Sequence, residues 1–210
     1  MNRNENMSKP PVGCPIDPDN LLDRNWIRDH LTIALQRESD EKLTKKLADF
    51  AEIEKYLILM FDGPDESYSI KVTPGLLANA GFPEDEAWRA AESNLEQSFQ
   101  IFTLQSMLSD IIGQISRSEY EDKLQIYVVT TACRAKGAAA ILCRDKMIEF
   151  MEKHEAEKLV ILPSSIHEAL IIPYHNYMDI DYFSQMVKEI NASHVAPEEQ
   201  LADRAYLYWE

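Results

Sequence analysis

The residues best suited to chemistry in this sequence lie in the segment L-P-S-S-I-H-E, residues 162–168. Its polar members are Ser164, Ser165, His167 and Glu168, and a serine, a histidine and a carboxylate are the side chains of a hydrolase triad. Triads converge from separate segments, however, and neighbouring residues on a strand, such as His167 and Glu168, point to opposite faces. The segment therefore favours a structural turn held by serine hydroxyls. Hydrolysis by Ser164 or Ser165 with His167 is the alternative.

No other motif in the sequence indicates a reaction. The phosphate-binding glycine loops, the G-x-S-x-G nucleophile turn and the H-E-x-x-H zinc motif are all missing. His154, His167, His175 and His194 have no short repeated spacing of the kind that metal ligands show on a helix. We therefore expect no metal and no cofactor, and the sequence leans away from an enzyme.

The three cysteines predict free thiols rather than a disulfide framework. Cys14, Cys133 and Cys143 are odd in number and form no C-x-x-C pair. Cys133 and Cys143 lie in apolar stretches, so we expect both to be buried as small hydrophobic side chains.

Charge is the strongest compositional signal. The formal net charge is −15, from 21 basic and 36 acidic residues. Such a chain repels nucleic acid and anionic membranes, so we expect neither as a direct partner. A basic protein is the partner that the charge favours, while the oligomeric state is not indicated. The acids expected on the outer face of a helix, and therefore predicted to bind this partner, are Glu84, Asp85, Glu92 and Glu96.

One short basic island interrupts the acidic chain. Residues 126–148 contain four basic residues and one acid, whereas residues 49–125 contain fifteen acids and five basic residues. The island can keep a local positive potential because salt screens charges over about 8 Å. Its side chains could equally form weak surface ion pairs. Its members are Arg134, Lys136, Arg144 and Lys146.

The helices and strands that position these residues fall into three parts of the chain. Residues 1–18 are rich in proline and predict a disordered leader. Residues 19–50 predict an N-terminal helical hairpin, its first helix carrying Leu22, Trp26, Ile33 and Ala34 on one face and its second Leu43, Leu47 and Phe50. Residues 51–210 predict an α+β domain. The longest apolar run, residues 56–61, is too short to cross a membrane, and no signal peptide is recognisable, so we expect a cytoplasmic protein.

Within residues 51–210 the strands come in adjacent pairs rather than alternating singly with helices. This order favours a single α+β domain with a largely antiparallel or mixed sheet and helices packed on it. The expected helices cover 74–77, 84–97, 144–151 and 179–190, and residues 99–112 form either another helix or an extension of the one before. The expected strands cover 56–61, 67–73, 126–130, 138–143, 158–163, 168–173 and 205–209.

Several ordered motifs resemble the bacterial family called domain of unknown function 5688. They are V-T-P-G-L-L-A-N-A-G-F-P-E-D-E-A-W, I-Y-V-V-T, G-A-A-A-I-L, V-I-L-P-S-S-I-H-E-A-L-I-I-P and M-V-K-E-I-N-A-S-H-V-A-P-E-E-Q-L-A-D-R-A-Y-L-Y. The resemblance covers roughly residues 50–210, and the first 50 residues look divergent. It implies a shared fold and a setting in mobile elements of gut anaerobes, and it transfers no catalytic residue.

Together these signals predict an acidic, non-enzymatic protein that binds or regulates another protein. In the setting that the resemblance implies, it would be an anti-defence factor or an inhibitor. A version that mimics DNA would need carboxylates held at phosphate-like spacing.

Overall fold

The computed structural model describes residues 16–62, 67–106, 125–163 and 165–209. The strands are β1 (Leu31–Arg37), β2 (Lys45–Leu47), β3 (Ile53–Asp62), β4 (Ser67–Lys71), β5 (Phe99–Thr103), β6 (Tyr127–Thr131), β7 (Leu159–Leu162), β8 (Ala169–Pro173) and β9 (Tyr206–Tyr208). The α-helices with complete bounds are α1 (Arg24–His30), α2 (Pro74–Asn79), α3 (Glu84–Ser98), α4 (Arg144–Lys153) and α5 (Ile180–His194). Short 3₁₀ helices cover Pro18–Leu22, Gly137–Leu142 and Pro197–Glu199.

The strands form two antiparallel sheets, which confirms the α+β class but divides the single predicted sheet in two. In sheet A, β3 is the central strand and pairs with β1, β2 and β4. In sheet B the strand order is β5-β6-β8-β7-β9. Every pairing among the described strands is antiparallel, as adjacent strand pairs in the sequence predict.

One hydrophobic core joins the two sheets. Ile33 and Leu57 from sheet A and Val129 and Ile161 from sheet B belong to the same buried cluster. Helix α3 packs on this core through one apolar stripe at helical spacing. The buried residues of that stripe are Ala87, Trp88, Ala91 and Leu95.

The predicted N-terminal helical hairpin is wrong. Helix α1 ends at His30, whose Nδ1 lies 2.7 Å from the carbonyl oxygen of Trp26, and the chain then continues as β1. In β1 the buried residues Leu31, Ile33 and Leu35 alternate with a period of two, and all seven strand residues pair with β3. The boundary predicted at residue 50 therefore cuts through sheet A.

The second helix of that hairpin is replaced by β2 and its flanking loops. The backbone of Thr44, just before β2, bonds to two other segments. Its N–H donates to the carbonyl of Val72, which follows β4, and its carbonyl accepts from the N–H of Leu57 in β3. Leu47 is 70% exposed whereas Phe50 is 6% exposed. Leu47 and Phe50 therefore do not share the one buried face that their helical spacing predicts.

Two other predicted elements change type. Residues 99–103 form β5 rather than a helix because they pair along β6, and helical backbone begins only at residue 104; the rest of that predicted helix lies outside the described residues. Residues 138–143 fall mainly in the 3₁₀ helix Gly137–Leu142 rather than in a strand. Three consecutive alanines favour helical over extended backbone.

Several predictions from local signals are confirmed. The pair 56–61 and 67–73 forms the β3–β4 hairpin, and 158–163 with 168–173 forms β7 and β8. Helix α2 starts with a Thr73 cap followed by Pro74, and Gly81 beyond its end has a φ of +61°. Of the predicted leader, only residues 16–18 lie within the described ranges. No helix in the described ranges combines the length and hydrophobicity needed to cross a membrane.

Candidate functional site

The segment 162–168 folds as a turn between β7 and β8. Ser164 lies outside the described residues. The Ser165 hydroxyl accepts a hydrogen bond of 3.0 Å from the backbone N–H of His167, the arrangement of a serine turn. The backbone N–H of Ile166 donates to the carbonyl of Glu199 at 2.8 Å. The segment is thus tied to the C-terminal part of the chain.

His167 connects three segments that are distant in sequence. Its Nδ1 accepts a hydrogen bond of 3.3 Å from the backbone N–H of Lys136, so the ring proton resides on Nε2. Nε2 lies 3.4 Å from the Glu199 carboxylate and points its proton there. The His167 carbonyl accepts from the Thr130 hydroxyl at 2.9 Å. Neither ring nitrogen is bonded to a serine among the described residues, and the Glu168 carboxylate has no recorded partner among them.

Gly137 allows this close junction to form. A Cβ at this position would lie 2.2 Å from Thr130 Oγ1, 2.6 Å from the nitrogen of Thr131 and 2.9 Å from the His167 carbonyl oxygen. Real side chains do not approach so closely, so only glycine fits. The preceding loop is strained as well, since Arg134 and Lys136 have φ values of +55° and +53°.

The basic island does not form one patch, because its four side chains have different surroundings. The Arg134 guanidinium lies 5.2 Å from the ring centroid of Phe102, and Lys146 pairs with Glu149 at 3.2 Å. Burial lowers the pKa of Lys136. The positive charge of Lys71 lowers this pKa further, and the negative charge of Glu199 raises it. Arg144 lines a cavity between the two sheets.

A groove of about 160 Å³ lies beside the strained loop. It is lined by β1 and α1 on one side and by Cys133 and Lys136 on the other. The Cys133 thiol is exposed, which corrects the prediction that it is buried, and it lies 3.4 Å from the Thr131 hydroxyl. Cys143 is buried as predicted, and burial raises the pKa of its thiol to about 12. The groove holds polar groups without the mutual geometry of a catalytic site.

The four predicted acidic residues lie on α3, and the structure separates them into two pairs. Glu84 accepts a hydrogen bond of 3.2 Å from the Trp88 indole, and Asp85 forms an ion pair of 2.7 Å with Arg89. Glu92 and Glu96 are exposed, with no recorded ion pair among the described residues. These two carboxylates are the ones available to an incoming partner. Glu84 stands on the same side of the helix as the buried stripe, which corrects its predicted place on the outer face. We call the exposed side of α3 that carries Asp85, Glu92 and Glu96 the α3 acidic face.

A polar network outside the predicted site residues lies on the outer face of sheet A. At its centre is Glu54, only 4% exposed, whose carboxylate accepts hydrogen bonds from Gln36 at 2.7 Å, Ser39 at 2.8 Å and Lys45 at 3.2 Å. Burial by itself would raise the pKa of Glu54, but these hydrogen bonds outweigh it and hold the pKa below its usual value. In β1, Thr32 and Gln36 alternate with a row of buried apolar residues at a period of two, and this pattern could have revealed the face had the region been recognised as a strand.

Comparison with known proteins places the chain in a family. The model of a family of unknown function (DUF5688) matches residues 8–210. The chain belongs to DUF5688. This DUF5688 protein matches its family through β1 and β2 as well, so the expected resemblance from residue 50 onward was too narrow. No curated protein and no solved structure matches the chain.

Proposed function

We propose that this DUF5688 protein acts by binding a basic protein through the α3 acidic face rather than by turning over a substrate. The observation that carries the proposal is the charge of this helix, which has five carboxylates and one arginine. Glu92 and Glu96 are exposed and unpaired within the described residues. Carboxylates of this kind attract basic partners and speed their association.

The helix is a fixed platform, which supports a role in recognition. Trp88 is 3% exposed, and the Lys46 ammonium lies 4.5 Å from its ring centroid. The Asn94 amide donates to the carbonyls of Arg28 and Leu31, both at 2.8 Å. A surface that is already ordered avoids part of the entropic cost of association.

The partner that suits this surface best is a protein whose lysines and arginines otherwise contact nucleic acid. Carboxylates and phosphates bind the same cationic side chains. This would suit an inhibitor carried by a mobile element, the setting that the family resemblance implied. The free thiols of Cys133 and Cys143 suit the reducing cytoplasm, where we place the interaction.

Hydrolysis by Ser164 or Ser165 with His167 is the weaker proposal. A nucleophilic serine needs its hydroxyl within hydrogen-bonding reach of the base. The Ser165 hydroxyl instead accepts from the backbone of His167, and the imidazole nitrogens face Lys136 and Glu199.

The test compares two double variants with the same change in net charge. Glu92→Lys with Glu96→Lys alters the α3 acidic face, and Glu152→Lys with Glu157→Lys alters exposed acids near the end of α4. The wild type and each variant are used to capture partners from a lysate of the native host, and quantitative mass spectrometry measures the captured proteins. Circular dichroism confirms that each variant folds. We expect a basic protein that the wild type and the α4 control retain and the α3 variant loses.

Binding should also weaken between about 50 and 500 mM salt, as the screening length shortens from roughly 14 Å to 4 Å. If both double variants retain every captured protein equally, the α3 acidic face is not the binding site. Loss of the same proteins from both variants would mean that net charge, rather than this face, governs the association.

A further inference from the structure

A cavity of about 270 Å³ lies between the two sheets, and none of its lining residues belongs to α3. Four parts of the fold build it: the turn before β3, β3 itself, the 3₁₀ helix with the start of α4, and β9 with the residue after it. Because these parts belong to the shared core or pack on it, the cavity is formed before any ligand arrives. Preformed concave sites of this kind are where proteins hold small ligands.

Aromatic side chains form one part of the cavity wall. Trp209 is 59% exposed, although an indole normally contributes to a core. Tyr208 is partly buried beside it, and the buried Phe50, whose ring contacts that of Tyr206 in β9, also lines the cavity. A planar ring can therefore stack against the exposed part of this indole.

Two cationic side chains line the same cavity. Arg144 has no recorded ion pair or hydrogen bond with the described residues, whereas its neighbour Lys146 pairs with Glu149. Arg144 is also the first residue of α4, where the helix dipole disfavours a positive charge. Helix stability therefore does not explain this arginine. Lys55 adds a second positive charge from β3.

We propose that this inter-sheet cavity binds a small molecule that combines a planar ring with an anionic group. The ring packs on Trp209, and the carboxylate or phosphate lies against Arg144, whose planar guanidinium matches such groups. Asp49, also in the lining, can accept a hydrogen bond from a hydroxyl or amine on the ligand.

The charge balance of the cavity supports an anionic ligand. Lys55 and Arg144 outnumber Asp49, in a chain whose net charge is −15. Burial raises the pKa of Tyr208, Arg144 opposes this rise, and Asp49 and Asp145 add to it. The Tyr208 hydroxyl therefore stays protonated at neutral pH and can donate to the same ligand.

Isothermal titration calorimetry on the full chain tests the proposal with defined probes. Indole-3-acetate presents a ring with a carboxylate, and adenosine monophosphate presents a ring with a phosphate. Adenosine supplies the ring without the anionic group, and inorganic phosphate supplies the anionic group without the ring. We expect at least one of the two ring-bearing anions to bind at millimolar concentration or better, and neither half to match it. Which of them binds identifies the anionic group.

The variants Arg144→Gln and Trp209→Ala locate the site, with Lys146→Gln as the matched control on the same helix. We expect Arg144→Gln to lower the affinity for the ring-bearing anion about tenfold or more. Trp209→Ala should lower this affinity as well, whereas Lys146→Gln should leave it unchanged. Thermal melting confirms that each variant folds. Failure of both ring-bearing anions to bind, or binding that neither cavity variant weakens, overturns the proposal.

Discussion

At the scale of single residues, the most informative side chain is His167, which holds a junction rather than a reaction centre. Its two ring nitrogens and its carbonyl reach Lys136, Glu199 and Thr130. The loop before Gly137 carries two residues with positive φ, and these contacts stabilise it against that strain.

We predict that His167→Ala lowers the free energy of unfolding by about 1–3 kcal/mol, since it removes hydrogen bonds from a partly buried junction. Glu168→Ala is the matched control, because its carboxylate has no recorded partner among the described residues, and it should change stability by less than about 0.5 kcal/mol. Urea denaturation monitored by circular dichroism measures both. Equal effects of the two substitutions would contradict the assignment of His167 as the anchor.

We predict a pH-dependent contribution from Glu54. Its pKa is held below the usual value of 4.5, so the stability that it adds is present above about pH 4.5 and disappears as pH falls through its lower folded-state pKa. Glu54→Gln should therefore cost about 1.5–3 kcal/mol at pH 7, with the difference from wild type shrinking toward pH 3.

Urea denaturation at several pH values provides the measurement for Glu54→Gln. The control is Glu41→Gln in the same network. The Glu41 side chain is 47% exposed, so its substitution should cost much less. A Glu54→Gln difference that stays constant with pH would show that the charge of Glu54 is not what stabilises the fold.

At the scale of elements, α5 depends on the segment that follows it. Asn191 is 2% exposed, and its amide donates to the Ala202 carbonyl and to the Asp203 carboxylate, both at 2.8 Å. The Gln200 amide donates to the Asn191 carbonyl at 3.0 Å. These bonds hold the end of α5 against the segment that leads into β9.

We predict that Asn191→Ala destabilises the protein by about 1–3 kcal/mol, because it leaves the Ala202 carbonyl without its donor in a buried place. Hydrogen exchange should show faster opening of α5 and β9 together. The exposed Ser193→Ala serves as the control and should leave both elements protected. Faster exchange in α5 alone would mean that the helix and the strand are not coupled through this residue.

At the scale of the whole molecule, the two sheets share one core and direct contacts. Arg37 at the end of β1 forms an ion pair of 2.9 Å with Asp203, and the Tyr206 hydroxyl of β9 donates to the carbonyl of Ala51. The buried cluster includes residues from both sheets and their helices, among them Ile27 of α1 and Ile171 of β8. Most buried residues of both sheets therefore belong to one shared core. Sheet B also buries Val160 and Ile172 in a smaller cluster with Phe183 and Val187 of α5, and sheet A has a small cluster around Tyr56.

We predict a single cooperative unfolding transition, since separating the sheets would expose the shared core. Tryptophan fluorescence reports mainly on Trp26 and Trp88 beside sheet A, and far-ultraviolet circular dichroism reports on all elements. The two denaturation curves should coincide. Separate midpoints would show that sheet A and sheet B unfold independently.

The sequence by itself determined the elements whose signals are local. Three local signals each specify an element within a few positions: the Thr73–Pro74 start of α2, the acidic first turn of α3, and the D-G-P-D-E turn sequence between the two strands of the β3–β4 hairpin. Composition likewise gave the net charge of −15, which depends only on residue types, and the order of the residues showed no recognisable catalytic motif.

The tertiary structure decided the features that depend on distant partners. Residues 31–37 become a strand because β3 lies beside them, although part of their spacing also fits a helix. His167 meets Lys136 and Glu199 across 31 and 32 residues of sequence, and Arg144 reaches the cavity beside Trp209 only when both sheets are assembled. Such contacts arise from packing and hydrogen bonding between segments, which spacing along the chain does not encode.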